Sequence, residues 1–113
     1  MPTEFKTESA SVTGGAAAAT IYTTPSAKNT VFHKLRITNT DNTVTTTVTI
    51  TINGTLTLNS KDLTPGETWV PGQESGGGGT DRLGLSATDT VEIESYTTDG
   101  DLDVVWWRQT MDA

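Results

Sequence analysis

The sequence predicts an all-β fold: a single antiparallel β-sandwich or jelly roll of about seven to eight strands, preceded by an N-terminal arm. Three observations predict it. Threonine supplies 25 of the 113 residues, and its β-branched side chain suits a half-buried pleated strand. Apolar and polar residues alternate with period two in several segments, most clearly over 43–52. Turn signatures recur at short intervals, and no segment carries a helical period of useful length. The length fits one domain, which can bury about two-thirds of the surface the open chain would expose. Leu, Ile, Val and Phe total only 22 residues, so the β-branched threonines decide for a thin folded domain against disorder.

Residues 1–19 carry little pattern beyond Gly14-Gly15 and four alanines, too few to nucleate a helix. They are read as an arm or a weak first strand, ordered only where something docks on it. The sandwich is expected over 20–110, with 111–113 as a tail. Thr20–Thr24 reads as a short strand stopped by Pro25. Over 31–38, strict alternation places Val31, His33, Leu35 and Ile37 toward the core and Phe32, Lys34, Arg36 and Thr38 away from it. Asn39 to Asn42 is a turn. Val44, Thr46, Val48, Ile50 and Ile52 then alternate with Thr43, Thr45, Thr47, Thr49 and Thr51, giving one core face and one threonine ladder. Asn53-Gly54 has the chemistry of a type I′ turn, which makes 43–59 a two-residue hairpin.

Thr64-Pro65-Gly66-Glu67 carries type II turn chemistry. A short strand at 68–70 follows, then a glycine-rich loop at 71–81 containing Gly76 to Gly79. Short apolar pieces at Leu83 and Leu85 precede a strand at 90–97 with Val91 and Ile93 inward and Glu92 and Glu94 outward. Asp99-Gly100 turns the chain into a last strand at 102–109.

Charge narrows the function classes. Fourteen acidic residues against seven basic ones leave a net charge of −7, which repels a polyanion, and the basic residues form no groove for nucleic acid. No apolar run reaches the length of a membrane-spanning helix. Residues 1–19 lack the apolar centre of a signal peptide, so synthesis in a cytoplasm is expected. With no cysteine and one histidine, disulfides, thiolate zinc and a cysteine nucleophile are excluded, as is a metal site built on several histidines.

The remaining chemistry is sparse. His33 falls on the apolar face of its strand, where a histidine at the core margin is a simpler reading than a catalytic base. Asp99, Asp101 and Asp103 resemble the opening of a calcium loop. The pattern then requires glycine at Val104 and glutamate at Thr110, so a polar turn is the better reading, with a shared surface calcium left open. The Gly76 to Gly79 run lacks the Lys-Ser/Thr of a phosphate loop. No catalytic residue, cofactor or metal is therefore assigned.

Trp106-Trp107 says more. Adjacent strand residues point to opposite faces, so one tryptophan enters the core and the other does not. Leu102, Val104 and Trp106 are expected inward, leaving Val105 and Trp107 outside, either beneath the N-terminal arm or against another chain; the reverse register would exchange the two tryptophans without altering the argument. Phe32 with Lys34 and Arg36 makes a second stripe, either a docking surface or a solvated face with one stray aromatic.

The run Thr20–Thr24, Pro25-Ser26-Ala27-Lys28, the strand at 31–38 and the turn Asn39-Thr40-Asp41 resembles small β-sandwich virion proteins of tailed bacteriophages. The later segments Leu63-Thr64-Pro65-Gly66-Glu67-Thr68 and Leu83-Gly84-Leu85-Ser86-Ala87-Thr88-Asp89-Thr90-Val91 continue the resemblance, which spans 20–109. The Gly76–Gly79 loop and the double tryptophan depart from it. The resemblance implies a non-enzymatic role on the virion and carries over no catalytic residue. The expected function is a capsid decoration or cement protein, a homo-oligomer such as a trimer, bound to the major capsid protein or other virion proteins. Alternatives are a neck, tail, baseplate or fibre accessory, and a carbohydrate-binding module with an exposed tryptophan on a sugar ring. The contact residues expected are Phe5, Phe32, Lys34, Arg36, Val105 and Trp107, and removing residues 2–15 is expected to leave a folded domain.

Overall fold

The computed structural model describes residues 3–54, 56–71 and 83–112. Those residues form nine strands and no helix: β1 (Glu4–Val12), β2 (Ala19–Thr23), β3 (Lys28–Asn39), β4 (Thr46–Ile52), β5 (Leu56–Leu63), β6 (Thr68–Trp69), β7 (Leu83–Leu85), β8 (Thr90–Ser95) and β9 (Leu102–Asp112). Two antiparallel sheets pack face to face. One has the order β1-β9-β3-β6, with β7 on the same edge of β3 as β6; the other has the order β2-β8-β4-β5. The pairs β1·β9, β2·β8, β3·β6 and β4·β5 nest one inside the next. That nesting is a long hairpin rolled into two layers, which makes this β-sandwich a jelly roll. The glycine-rich loop lies almost wholly outside the described residues.

The core is the inner surface of both layers. Phe32, Ile37, Val104 and Trp106 from the five-stranded sheet meet Val48, Ile50, Val91 and Ile93 from the other, all nearly inaccessible to water. The alternation read from the sequence holds on β4, β8 and β9. It fails on β3, where the register against β9 shifts between Phe32 and Lys34. This β-bulge sets two residues, His33 and Lys34, opposite the single Trp107 and turns both outward. Upstream of it the faces are exchanged. Phe32 is therefore a core residue, 1% exposed, and is removed from the set of contact residues. Val31 and His33 leave the core face for the same reason.

Of the two readings of the N-terminal segment, an arm or a first strand, the structure has the strand at Glu4–Val12. β1 pairs with β9 along its whole length, from Glu4 opposite Thr110 to Val12 opposite Leu102, and Val12 is buried in the core. Deleting residues 2–15 would strip an edge strand and uncover the flank of Val104 and Trp106, so a folded remnant is no longer expected. At the other end β9 continues through Asp112 beside Lys28, so 111 and 112 belong to the sheet.

The predicted turns form with local adjustments. Asn53 and Gly54 both have positive φ, at 55° and 72°, but Ile52 pairs with Leu56. The connection is thus three residues rather than two. Asn53 is drawn toward β8, exchanging backbone and side-chain hydrogen bonds with Thr90 and Asp89. Gly66 has φ 78° inside a Glu67 N–H to Thr64 carbonyl bond of 3.0 Å, as a type II turn requires. Asn39, expected in a turn, ends β3 fully buried and donates its side-chain amide to the carbonyls of Val44, Leu63 and Thr64.

Gly14 shows why the Gly14-Gly15 pair is there. The β1–β2 connection presses on the β8–β9 turn: the Gly14 N–H donates to Asp101 Oδ1 at 2.9 Å, and the Gly15 N–H to the Ser95 carbonyl at 2.9 Å. A Cβ on Gly14 would lie 2.4 Å from both Gly100 N and the Thr97 carbonyl oxygen. Both are backbone atoms that cannot swing away. Gly14→Ala is expected to destabilise by about 1–3 kcal/mol, the range of overpacked sites, read as a lower urea midpoint with an unchanged slope.

Candidate functional site

The outer face of the five-stranded sheet gathers most of the residues singled out from the sequence. Leu102, Val104 and Trp106 point inward along β9, and Val105 and Trp107 point outward and are half-buried, as the alternation predicts. Lys34 sits opposite Trp107 and Arg36 opposite Val105 on β3; on β1 the opposing residues are Thr7 and Ser9. Lys34 Nζ lies 5.1 Å from the centroid of the Trp107 ring and Arg36 Cζ 5.7 Å from it. Both cations therefore engage the π face. Phe5, 69% exposed, lies further along the same face at the level of Gln109. A shallow depression of about 190 Å³ between them is lined by Phe5, Lys6, Thr7, His33, Trp107 and Arg108. Phe5, Lys34, Arg36, Val105 and Trp107 thus share one surface. Phe32 lies on the opposite side of the sheet.

Among the described residues the cations divide into paired and unpaired. Lys6, Lys28 and Arg108 are each committed to a carboxylate, with Glu4, Asp112 and Glu8 respectively. Lys34 and Arg36 have no ion pair among the described residues and rest instead on Trp107. An arginine stacked in this way keeps guanidinium N–H groups free for a planar carboxylate. The face can therefore offer apolar area and two uncompensated cations together.

Sequence reasoning missed a second constellation, between the sheets at the Phe5 end. The alternation that buries Trp106 also carries Arg108 inward, to 8% exposure. Its Nε and Nη2 donate to Glu8 Oε1 and Oε2 at 2.7 and 3.1 Å, and its Nη1 donates to Glu4 Oε1 at 3.1 Å. The guanidinium also lies 5.3 Å from the Tyr22 ring centroid, and the Tyr22 hydroxyl hydrogen-bonds Thr30 at 2.9 Å. Trp106 Nε1–H donates to Glu8 Oε1 at 3.0 Å. The signal was present in the sequence: a cation at an inward position of an apolar strand demands a partner, and Glu4 and Glu8 lie on one face of β1. This cluster has its donors and acceptors matched. It fastens β1 to the sandwich rather than awaiting a ligand.

The other candidates do not converge. His33 Nε2 lies 2.8 Å from Gln109 Oε1 on the outer face, away from the core margin where the sequence placed it. Asp101 is engaged by the Gly14 N–H, Asp99 occupies a turn with φ 69°, and Asp103 faces outward on β9. Among the described residues no three His, Cys, Asp or Glu side chains cluster as metal ligands, and no helix is long and apolar enough to cross a membrane.

No family model and no curated protein matches the sequence. Among solved structures, the chain is similar to one described in the words "Bacillus endospore appendages form a novel family of disulfide-linked pili". The identity is 15%, the match covers 96% of this chain and 85% of that one, and the TM-score is 0.50. At that identity the likeness speaks for the β-sandwich fold and for nothing beyond it.

Proposed function

We propose that the chain is a non-enzymatic structural subunit of a protein particle, acting through the outer face of its five-stranded sheet. One observation carries the reading. Trp107, stacked under the unpaired Lys34 and Arg36 and flanked by the exposed Phe5, is an aromatic anchor on an otherwise threonine-rich, acidic surface. The resemblance to virion proteins of tailed bacteriophages supplies the particle. On it the chain is a capsid decoration or cement protein, made in the host cytoplasm and bound to neighbouring capsid subunits. Binding that favours the assembled lattice stabilises it by mass action. A neck, tail, baseplate or fibre position is the alternative within this class.

Two other readings have less support. A filament subunit would accord with the pilus-related fold neighbour, but this chain has no cysteine with which to form disulfide links. A sugar-binding module needs a bare aromatic face, and two cations lie over the Trp107 ring.

The test is occupancy on purified particles of the phage encoding the chain. Decoration predicts on the order of hundreds of copies per particle, whereas a neck or tail position predicts about a dozen or fewer. Trp107→Ala is expected to change stability by less than about 1 kcal/mol, as at other half-exposed sites, yet to lower occupancy at least tenfold. Wild-type occupancy of that variant rules out docking through this face, and absence of the native chain from particles rules out the virion reading.

A further inference from the structure

We infer that the outer face of the five-stranded sheet binds a second copy of this chain, through the outer face of that copy's four-stranded sheet. The inference rests on the proposed function only in taking the Trp107 face as a contact; it names the occupant.

The two outer faces are complementary. One carries Lys34 and Arg36 without ion pairs, over Trp107. On the other, register places Glu94 beside Thr49 and Ser60, Thr47 beside Asp62, and Glu92 beside Thr51. Glu92 is occupied by the Gly54 N–H and the Thr90 hydroxyl. Glu94 and Asp62 have no cationic partner among the described residues. Continuing the alternation of β8, Tyr96 follows on this acidic face and is 53% exposed. Phe5 and Tyr96 are the large hydrophobic residues left exposed among the described residues, one on each face. Among the described residues Asp103 alone adds a carboxylate to the basic face, at the far end beside Thr38.

The pairing also follows from what each face cannot do. Two basic faces meeting about a two-fold axis would oppose Lys34 and Arg36 with their own copies, and two acidic faces would oppose Glu94 and Asp62 in the same way. Like-charge juxtaposition of this kind is strongly disfavoured. Basic on acidic is the arrangement that matches the charges. Because the faces lie on opposite sides of the sandwich, each copy uses both, and the contact repeats head to tail as a stack, whose end copy keeps its Trp107 face for the particle.

The experiment uses the full chain and light scattering coupled to size exclusion, from micromolar to millimolar concentration. The wild type is expected to rise to more than twice its monomer mass of 12.0 kDa. One variant alters the basic face (Trp107→Ala with Arg36→Gln) and another the acidic face (Glu94→Gln with Tyr96→Ala). Circular dichroism confirms that each is folded. Each alone is expected to stay at monomer mass, while their mixture forms a one-to-one dimer and stops, because each contributes its single intact face. The acidic-face variant lowers the net negative charge, so its failure to associate cannot come from added repulsion. A wild type monomeric over the whole range overturns the inference, as does self-association of the acidic-face variant like that of the wild type. Should the monomeric wild type still decorate particles, and Trp107→Ala still remove it, the structural function stands and self-stacking alone falls.

Discussion

Phe32→Ala is expected to lower the thermal midpoint by about 12 °C or more. The ring is 1% exposed. It stacks on Trp106 with centroids 6.0 Å apart and planes 5° from parallel, and meets Tyr22 edge-on at 5.3 Å. Removing it takes away the transfer free energy of a buried aromatic, leaves a cavity, and loses both ring contacts. Together these cost about 3–5 kcal/mol. Each kcal/mol corresponds to about 4 °C in a domain of this size. Lys34→Ala, two residues away on the other side of the sheet, is the control and is expected to shift the midpoint by less than about 2 °C. The measurement is a calorimetric or fluorescence melt of both variants. Equal small shifts would mean that Phe32 lies outside the core and that β3 runs without its bulge.

The same residue shows where sequence reading stopped. A period-two pattern assigns faces correctly as long as the strand is regular, and on β4, β8 and β9 it did so; on β9 it left two registers open, and the structure takes the one with Trp106 inward and Trp107 outward. A bulge adds one residue and exchanges the faces on one side of itself. Nothing in Val31-Phe32-His33-Lys34 announces it, because alternation through His33 looks as regular as alternation interrupted there. The bulge is a tertiary decision: it buries Phe32 against Trp106, contributed by a strand some seventy residues later. β1 was legible only as one of two readings, an arm or a weak first strand, for a related reason. Glu4, Lys6 and Glu8 on its inward side look like solvent residues, and become structural only once Arg108 is seen to point toward them. The Lys34, Arg36 and Trp107 surface was legible because β9 alternates regularly through Trp107 and β3 keeps its predicted faces from Lys34 onward.

Arg108 supports the second large prediction. Arg108→Met keeps an unbranched apolar stem but withdraws every donor from Glu8 and Glu4, leaving Glu8 partly buried against Trp106 without its cation. Breaking a buried ion pair costs about 3–5 kcal/mol. Glu8 is about a third exposed, with its side chain at 31%, so about 2–3 kcal/mol is expected here after allowance for solvent screening. The loss should depend on pH in a definite sense. Hydrogen bonds from Arg108 hold the Glu8 carboxyl below its ordinary value of 4.5 against the opposing effect of burial, with Trp106 assisting. Hydrogen bonding from Arg108 lowers Glu4 as well, with Lys6 assisting. A carboxylate depressed in the folded state stabilises it fully above the unfolded pKa, and that contribution disappears as pH falls through the folded pKa. Arg108 itself is pushed further up and stays charged throughout. Asp41, Glu67 and Asp89 are also depressed, by donors that the substitution leaves in place; they contribute equally to both proteins and cancel in the difference. The gap in unfolding free energy between wild type and Arg108→Met should therefore be widest above about pH 5 and close progressively below it. Urea titrations of the two proteins at a series of pH values measure that gap directly. A gap constant across the acid range would mean that Arg108 acts through its guanidinium on the Tyr22 ring and Thr110, and that the two glutamates add nothing.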